Sequence, residues 1–396
     1  MTANRTIAED LRATLVGQLT RGGFFGDPAW RDAFATVPRE VFVPYFFLPW
    51  RGRPGWRLAE ADDEWRRGVY ADDALVTQLN GDDDAALAAR RGQAVEGRPT
   101  SSSSAPGLMA AMLHSLGVAE GMTVLEVGTG SGYNAALLAA RLGDDAVTSV
   151  ELDPALAQRA RIALATAGYR PTVVTGDGAA GYPPNARYDR VIATVAFPRV
   201  PAAHLEQTHP GALILIPLSF AGRGGLMALL RRDETGGASG AFLAQYGGFM
   251  AVRSVSEPAA PKIRPRLLKT AHPTEVPPAA LTDAHPAAFY LSLCCPCPYT
   301  TLGFTPDDDS TGPQTWGQGA DGSTFALTTS DGTTHVAAEG PLWDTLDTAY
   351  TQWRALGRPD RDRFGVTATG EARQWVWLDH PDHVITELSA HGGGQR

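Results

Sequence analysis

Lysine is nearly missing from this 396-residue sequence: Lys262 and Lys269 are its two copies, and arginine supplies the remaining positive charge. With 34 basic against 43 acidic side chains the net charge is −9, so no surplus of cations is available to neutralise a phosphate backbone, and nucleic acid is not expected as a partner. Cysteine is scarce as well. Cys294, Cys295 and Cys297 crowd into LCCPCPY. An odd, adjacent set makes no disulfide framework, and a zinc site would need a second pair at metal-binding spacing. No apolar run approaches the length of a membrane span, and the start, MTANRTIAEDLRATLVGQL, has no charged segment followed by an apolar one, as an export signal would. A cytoplasmic protein without metal or membrane is the expectation.

Apolar residues make up 43% of the chain, ample for real cores. Amphipathic helices are expected near Ile7 to Gly22 and Pro28 to Thr36. The acidic, alanine-rich stretch NGDDDAALAARRGQAVEG reads as a solvated loop or short exposed helix. Asp82, Asp83 and Asp84 make a poor metal site, because neighbouring carboxylates point different ways. From Ala105 onward apolar strands alternate with helices: TVLEV, AVTSVEL, PTVVTGD, YDRVIATVA and ALILIPLS, with NAALLAARLG and PALAQRARIALATAG among the crossovers. That alternation predicts an α/β fold with a doubly wound, mostly parallel sheet. LMALLRR and FLAQYGGFMAVR would add an antiparallel hairpin. SEPAAPKIRPR is proline-rich and marks a linker. Beyond it, STFALTTS, THVAAEG, GVTATGE and QWVWLD surround one helix, PLWDTLDTAYTQWRALG, with its core stripe at Leu342, Leu346, Tyr350, Trp353 and Leu356. The expected division is an N-terminal helical extension with the acidic insertion (1–100), a cofactor-binding core (101–255) and a small α+β domain (256–396).

VLEVGTGSGYNAALLAARLG, from Val124 to Gly143, is a strand, a glycine loop and a helix start. Outward-pointing backbone N–H groups and the helix dipole make such a junction an anion site. NAD, ATP and S-adenosylmethionine could each use it. A P-loop would need a Gly-Lys-Ser/Thr ending, absent here, and a dinucleotide loop would need a third glycine where Tyr133 stands. Glu151 ends the next strand, where a carboxylate can accept both ribose hydroxyls, and Asp177-Gly178 follows the third strand at the same edge.

The pattern Glu126-x-Gly128-x-Gly130-x-Gly132 resembles the first motif of class I methyltransferases. The resemblance implies S-adenosyl-L-methionine as cofactor, with Glu126 at its α-amino group. The binding set is then Glu126, Gly128, Thr129, Gly130, Ser131, Gly132, Tyr133, Glu151, Leu152, Asp177, Gly178 and Thr194. More narrowly, VPREVFVP, YADDAL, SSSAPGLMAAML, GDGAAGYPPNARYDRVIAT and AFPRVP resemble the protein-L-isoaspartate O-methyltransferase family from the N-terminal helices to about Arg253. The family's T-I-S-x-P segment falls on Ser102 to Pro106, which puts the active-site serine at Ser104, with Ser102 and Ser103 beside it. A carboxylate acceptor is already ionised at neutral pH, so orientation and exclusion of water can supply most of the rate. His114, His204 and His209, isolated on helices, are expected to pack or face solvent.

The chain departs from the repair enzymes of that family at Ser103, where they carry an apolar residue, and at Gly107, where histidine or tyrosine is common. It is also longer. Taken whole, through PLWDTLDTAYTQWRALGRPDRDRFGVT, it resembles the methyltransferases that accompany ATP-grasp peptide maturases. That resemblance implies an aspartate side chain of a macrocyclised ribosomal (graspetide) precursor peptide as acceptor, its ester closing to aspartimide or yielding isoaspartate. The C-terminal domain and the 80–98 insertion would then recognise the peptide. Trp316, Trp375 and Trp377 would suit a binding face, although alternation puts both tryptophans of QWVWLD on one side, as in a packed core. The alternatives are ordinary isoaspartyl repair, the equivalent enzyme of a lasso-peptide or lanthipeptide pathway, and a non-catalytic binding module. Intact Glu126, Glu151 and Asp177 argue against the last.

Overall fold

The computed structural model describes residues 6–50, 52, 54–221, 223–253, 271–304, 314–369 and 373–388. The proline-rich stretch 256–266 and both lysines lie outside them. The chain forms two compact units.

The first unit takes the described residues up to Thr194 with 201–215 and 231–236. Its core is a parallel sheet in which Val124–Val127 lies between Val147–Glu151 and Tyr188–Ala193. Thr172–Thr175 is outside the former, and Thr208 to Leu215 outside the latter. The first two of these strands are buried along their whole length, as strands covered on both faces must be. Helix Pro106–Leu116 leads into the first of them, and Tyr133–Leu142 and Pro154–Thr166 are crossovers between successive strands. Val127 sits opposite both Val150 and Ala193, and Glu151 opposite Thr175. The loops that follow these strands therefore leave the sheet at one edge, where ligands of such folds bind.

The region expected as a helical extension also carries a four-stranded antiparallel sheet, ordered Trp56–Glu60, Tyr45–Pro49, Leu75–Leu79, Pro99–Ser103. Of the two forms its composition allowed, the acidic insertion takes the short helix, but that helix is anchored on one side. Asp84–Arg90 is a helix whose Ala85 and Ala86 are buried against Phe47 and Leu79. Val95 pairs with Trp56 through both backbone groups, and Trp56 Nε1 donates to Gly97 O over 3.0 Å. Alanines are small enough to lie flat on a sheet while the charges of the same turns stay outside. Arg90 reaches Glu60 at 2.7 Å, and Asp83 receives Arg159 Nη1 at 2.5 Å.

The second unit contains 195–200, 216–230 and the described residues from Gly237 onward. Ala238–Tyr246 pairs antiparallel with Phe364–Thr369, which continues to Arg373–Leu378 and Val384–Glu387. Its second sheet is ordered His272–Thr274, Thr333–Glu339, Thr324–Ser330, Gln314–Gly319, Tyr299–Phe304. Phe289 of helix Pro286–Cys294 stacks within 4.9 Å of both Phe242 and Phe364, and Phe325 meets Trp343 of helix Leu342–Ala355 at 5.1 Å. Leu342, Leu346, Tyr350 and Trp353 are buried as the helical stripe predicts, whereas Leu356, its last expected member, is a half-buried C-cap; Trp377 is buried too, its Nε1 donating to Thr367 Oγ1. Four strands of this unit escaped the sequence reading: His272–Thr274 and Val384–Glu387 are too short to show a period, and in Tyr299–Phe304 and Gln314–Gly319 glycine and glutamine dilute the alternation.

Candidate functional site

Gly128, Gly130 and Gly132 all adopt positive φ, at +94°, +53° and +88°, which explains three glycines in a single turn. The loop delivers the chain into helix Tyr133–Leu142, whose N-cap is Gly132 and which has no side-chain cap. No side chain therefore satisfies its first N–H groups. Beneath the loop, Thr129 and Ser149 share a 2.6 Å hydroxyl hydrogen bond, and Thr194 Oγ1 donates to Gly128 O at 2.7 Å. Gly130 N donates to Glu151 Oε2 at 2.8 Å, and Asp153 N donates to Glu151 Oε1 at 3.0 Å.

Glu126, expected to meet an ammonium group, makes its hydrogen bonds within the chain. It is fully buried and accepts hydrogen bonds from Asn134 Nδ2, at 2.7 Å, and from Ser149 Oγ. Burial pushes its carboxyl up to about 7, against the lowering effect of those two donors. It anchors the loop from below. Tyr133 also turns inward: its ring sits 6.2 Å from Phe34 and 5.9 Å from Phe42, and burial raises its hydroxyl to about 12. Ser131 and Gly128 remain half-buried on the loop.

At the other strand ends, Leu152 is 41% exposed beside Glu151, an apolar surface next to a carboxylate. Asp177 is exposed, and its Oδ1 accepts from Ala179 N at 2.9 Å. Gly178 is there for want of room: a Cβ on it would lie 2.3 Å from Val127 Cγ1. His204 is buried, donates Nε2–H to Gly178 O at 2.8 Å, and is pushed down to about 4 by burial. It holds a turn as a neutral ring. His114 and His209 are exposed.

The serine run is the edge strand Pro99–Ser103 and the turn after it. Ser101 and Ser103 are buried, while Ser102 and Ser104 are half-buried, as strand alternation requires. The run lies against the glycine loop. A Cβ built on Gly130 would be 3.5 Å from Ser102 O. Helix Pro106–Leu116 follows directly, with Gly107 N donating to Asp72 Oδ1 at 2.6 Å.

Sequence reasoning named none of Arg39, Asn134, Ser149 or Asp72. For Asn134 a signal was present, an amide inside the otherwise apolar YNAALLAA. Arg39 is wholly buried, and its contacts lie on segments far along the chain, which periodicity does not report.

The residues present fit a nucleoside-bearing cofactor with a carboxylate at one end. They supply an uncapped helix start behind a positive-φ loop, a carboxylate at the second strand end with an exposed leucine beside it, and an exposed aspartate at the third. Fold and site define a class I methyltransferase, whose cofactor is S-adenosyl-L-methionine. Residues 58–241 match the family described as protein-L-isoaspartate(D-aspartate) O-methyltransferase (PCMT). The protein-L-isoaspartate O-methyltransferase of Ignicoccus hospitalis is 35% identical over 212 residues, covering 53% of this chain and 82% of that protein. That of Thermococcus sibiricus is 39% identical over 246 residues, covering 61% and 92%. The chain belongs to the protein-L-isoaspartate O-methyltransferase family and is a carboxyl O-methyltransferase. A solved structure titled protein-L-isoaspartate O-methyltransferase superposes with a TM-score of 0.53 at 20% identity, over 93% of this chain and all of that one.

Proposed function

We propose that this chain esterifies the free carboxylate of an L-isoaspartyl residue in a peptide or protein, with Ser104 orienting the acceptor oxygen. The observation that carries the reading is the serine segment lying against the glycine loop at the carboxyl edge of the sheet, Ser102 O being 3.5 Å from where a Gly130 Cβ would stand. S-adenosylmethionine supplies a methyl group on positively charged sulfur, and its transfer to a carboxylate oxygen gives a methyl ester and S-adenosylhomocysteine without moving a proton.

The protein's share of the work is therefore placement. In this reading Glu151 takes the ribose hydroxyls, Leu152 lies against the base, Asp177 accepts from its amino group, and the loop amides and helix start take the methionine carboxylate. Ser104 half-faces solvent, so its hydroxyl can donate to one acceptor oxygen while the other approaches the methyl group. Holding reacting atoms in line can account for about 7–11 kcal/mol of barrier lowering. After release, the backbone nitrogen following the esterified residue attacks the ester carbon and methanol leaves, closing a succinimide that water opens to aspartate or isoaspartate. That ring closure needs no group on the enzyme.

A second reading takes as acceptor an aspartate side chain of a macrocyclised precursor peptide made by an ATP-grasp ligase, with aspartimide as product. It draws on the residues beyond 241, outside the family match. The isoaspartyl reading has more support: the curated relatives named above carry that name, and a solved structure so titled spans nearly the whole chain. Mass spectrometry of the two peptides, offered in parallel with S-adenosylmethionine, decides. Gain of a methyl group on the linear isoaspartyl peptide is the expected result. Methylation confined to the cross-linked aspartyl peptide would replace the first reading by the second.

A further inference from the structure

Arg39 spends a buried charge on backbone. Its side chain is fully enclosed, and burial draws its guanidinium down to about 10. Nη1 donates to Val69 O at 2.8 Å and to Ala71 O at 3.0 Å; Nη2 donates to Asp73 O at 3.0 Å. From the same nitrogen come bonds to Ser104 O at 3.0 Å and to both Ser103 O and Ser103 Oγ at 3.4 Å. The face of Tyr133, first residue of the helix that the glycine loop opens, lies 5.7 Å from Cζ. One guanidinium thus ties the loop 69–73 to the two serines at the end of the strand and touches the first residue of the cofactor helix.

Burying an ion is costly. If packing alone were needed here, an apolar side chain would serve without that cost. What an apolar residue cannot do is fix two carbonyls, 64 and 65 residues away in the chain, in direction as well as distance. Arginine's planar fork does this, and lysine's single ammonium cannot reach both sets of carbonyls in the same geometry. The clamp uses the backbone oxygens of Ser103 and Ser104 together with the hydroxyl of Ser103, and so sets the path of the main chain from which the Ser104 hydroxyl projects.

We propose that Arg39 is the positioning residue of the acceptor segment: it aims Ser104 at the reaction centre without touching substrate or cofactor. The proposal rests on the reading of Ser102 to Ser104 as the acceptor segment, and the experiment separates the two. The purified full-length chain and its Arg39→Lys, Arg39→Gln and Ser104→Ala variants are compared by melting temperature, by calorimetric affinity for S-adenosylhomocysteine, and by kcat and KM for an isoaspartyl peptide. A displacement of about 1 Å in the segment costs on the order of 10²-fold in rate. The expected result is therefore an Arg39→Lys enzyme whose kcat falls by about 10- to 100-fold while cofactor affinity stays within about twofold of the parent. Arg39→Gln should fall at least as far.

Cofactor affinity falling in step with kcat would reduce Arg39 to general stabilisation and overturn the proposal. So would unchanged kcat and KM in Arg39→Lys while Ser104→Ala is impaired. If Ser104→Ala keeps the parental rate, the acceptor-segment reading itself fails. Should both Arg39 variants fail to fold, Ser103→Ala carries the test, since it removes one oxygen of the clamp and leaves Arg39 in place. A severalfold lower kcat with unchanged cofactor affinity upholds the proposal, and a parental kcat overturns it.

Discussion

Gly130 donates its backbone N–H to Glu151 Oε2 across 2.8 Å, so the carboxylate ending the second strand already restrains the loop that ends the first. The same carboxylate accepts from Asp153 N, which leaves lone pairs on both oxygens for a ribose. Charge-assisted hydrogen bonds contribute about 1.5–3 kcal/mol each. Glu151→Gln keeps the shape and loses the charge. Its affinity for S-adenosylhomocysteine should fall by about 10- to 100-fold in calorimetry, and the melting temperature of the free protein should fall too, since one of the two backbone N–H groups then faces an amide NH2. An unaltered affinity would remove Glu151 from the cofactor site.

Gly178 has no space for a side chain. Because an added Cβ would meet Val127 Cγ1 at 2.3 Å, Gly178→Ala must push apart the third-strand turn and the end of the central strand. Overpacking of this kind costs about 1–3 kcal/mol. Denaturant unfolding should show that loss. Cofactor binding should weaken with it, since Asp177 immediately precedes the displaced residue.

The pH dependence of stability should contain two opposed contributions. Glu126 is raised from 4.5 to about 7 by burial: the folded chain holds its proton more tightly, so the stability it lends is complete below pH 4.5 and is lost as pH rises to about 7. His204 is lowered from 6.5 to about 4 by burial: its contribution is complete above pH 6.5 and is lost as pH falls towards 4. Each amounts to something on the order of 3 kcal/mol, and across pH 4.5 to 6.5 they largely cancel. Removing one exposes the other. The melting temperature of Glu126→Gln should climb between pH 4.5 and 6.5, and that of His204→Gln should decline from pH 4.5 to 7. Parallel curves for the two variants would contradict the assignment.

The acidic insertion offers a direct contrast between adjacent residues. Ala86 is 3% exposed against Phe47 and Leu79, whereas Leu87 is 48% exposed. Ala86→Asp buries an unpaired carboxylate and should cost about 2–4 kcal/mol. Leu87→Asp should leave stability within about 0.5 kcal/mol. Equal effects would mean that the insertion is as loosely held as its composition implies.

How far the site could be read in advance varied residue by residue. The glycine loop, Glu151 and Asp177 were legible because each sits at the end of an apolar run, and parallel strands carry all their ends to one edge. Ser102 and Ser104 could be told from Ser101 and Ser103 only once the run proved to be a strand, since serine repeats contain no hydrophobic alternation from which to take a phase. The places of Glu126 and Tyr133 in the cofactor set came from a resemblance of motif, which does not report how their side chains are packed. Which side of the loop a side chain takes depends on what lies beneath it: for Glu126 this is Asn134 and Ser149, for Tyr133 it is Phe34 and Phe42.

By itself the sequence determined the alternation of buried strands and crossover helices, and hence a parallel sheet with its glycine loop and acidic strand ends on one side. Those are consequences of local periodicity and backbone freedom, which neighbouring residues encode. Only the tertiary structure decided that Arg39 clamps the serine segment, that the alanines of the insertion close over a sheet, and that Glu126 lies under the loop. Each of the three depends on a partner that no local pattern pairs with it, and what brings the partners together is burial of the whole unit.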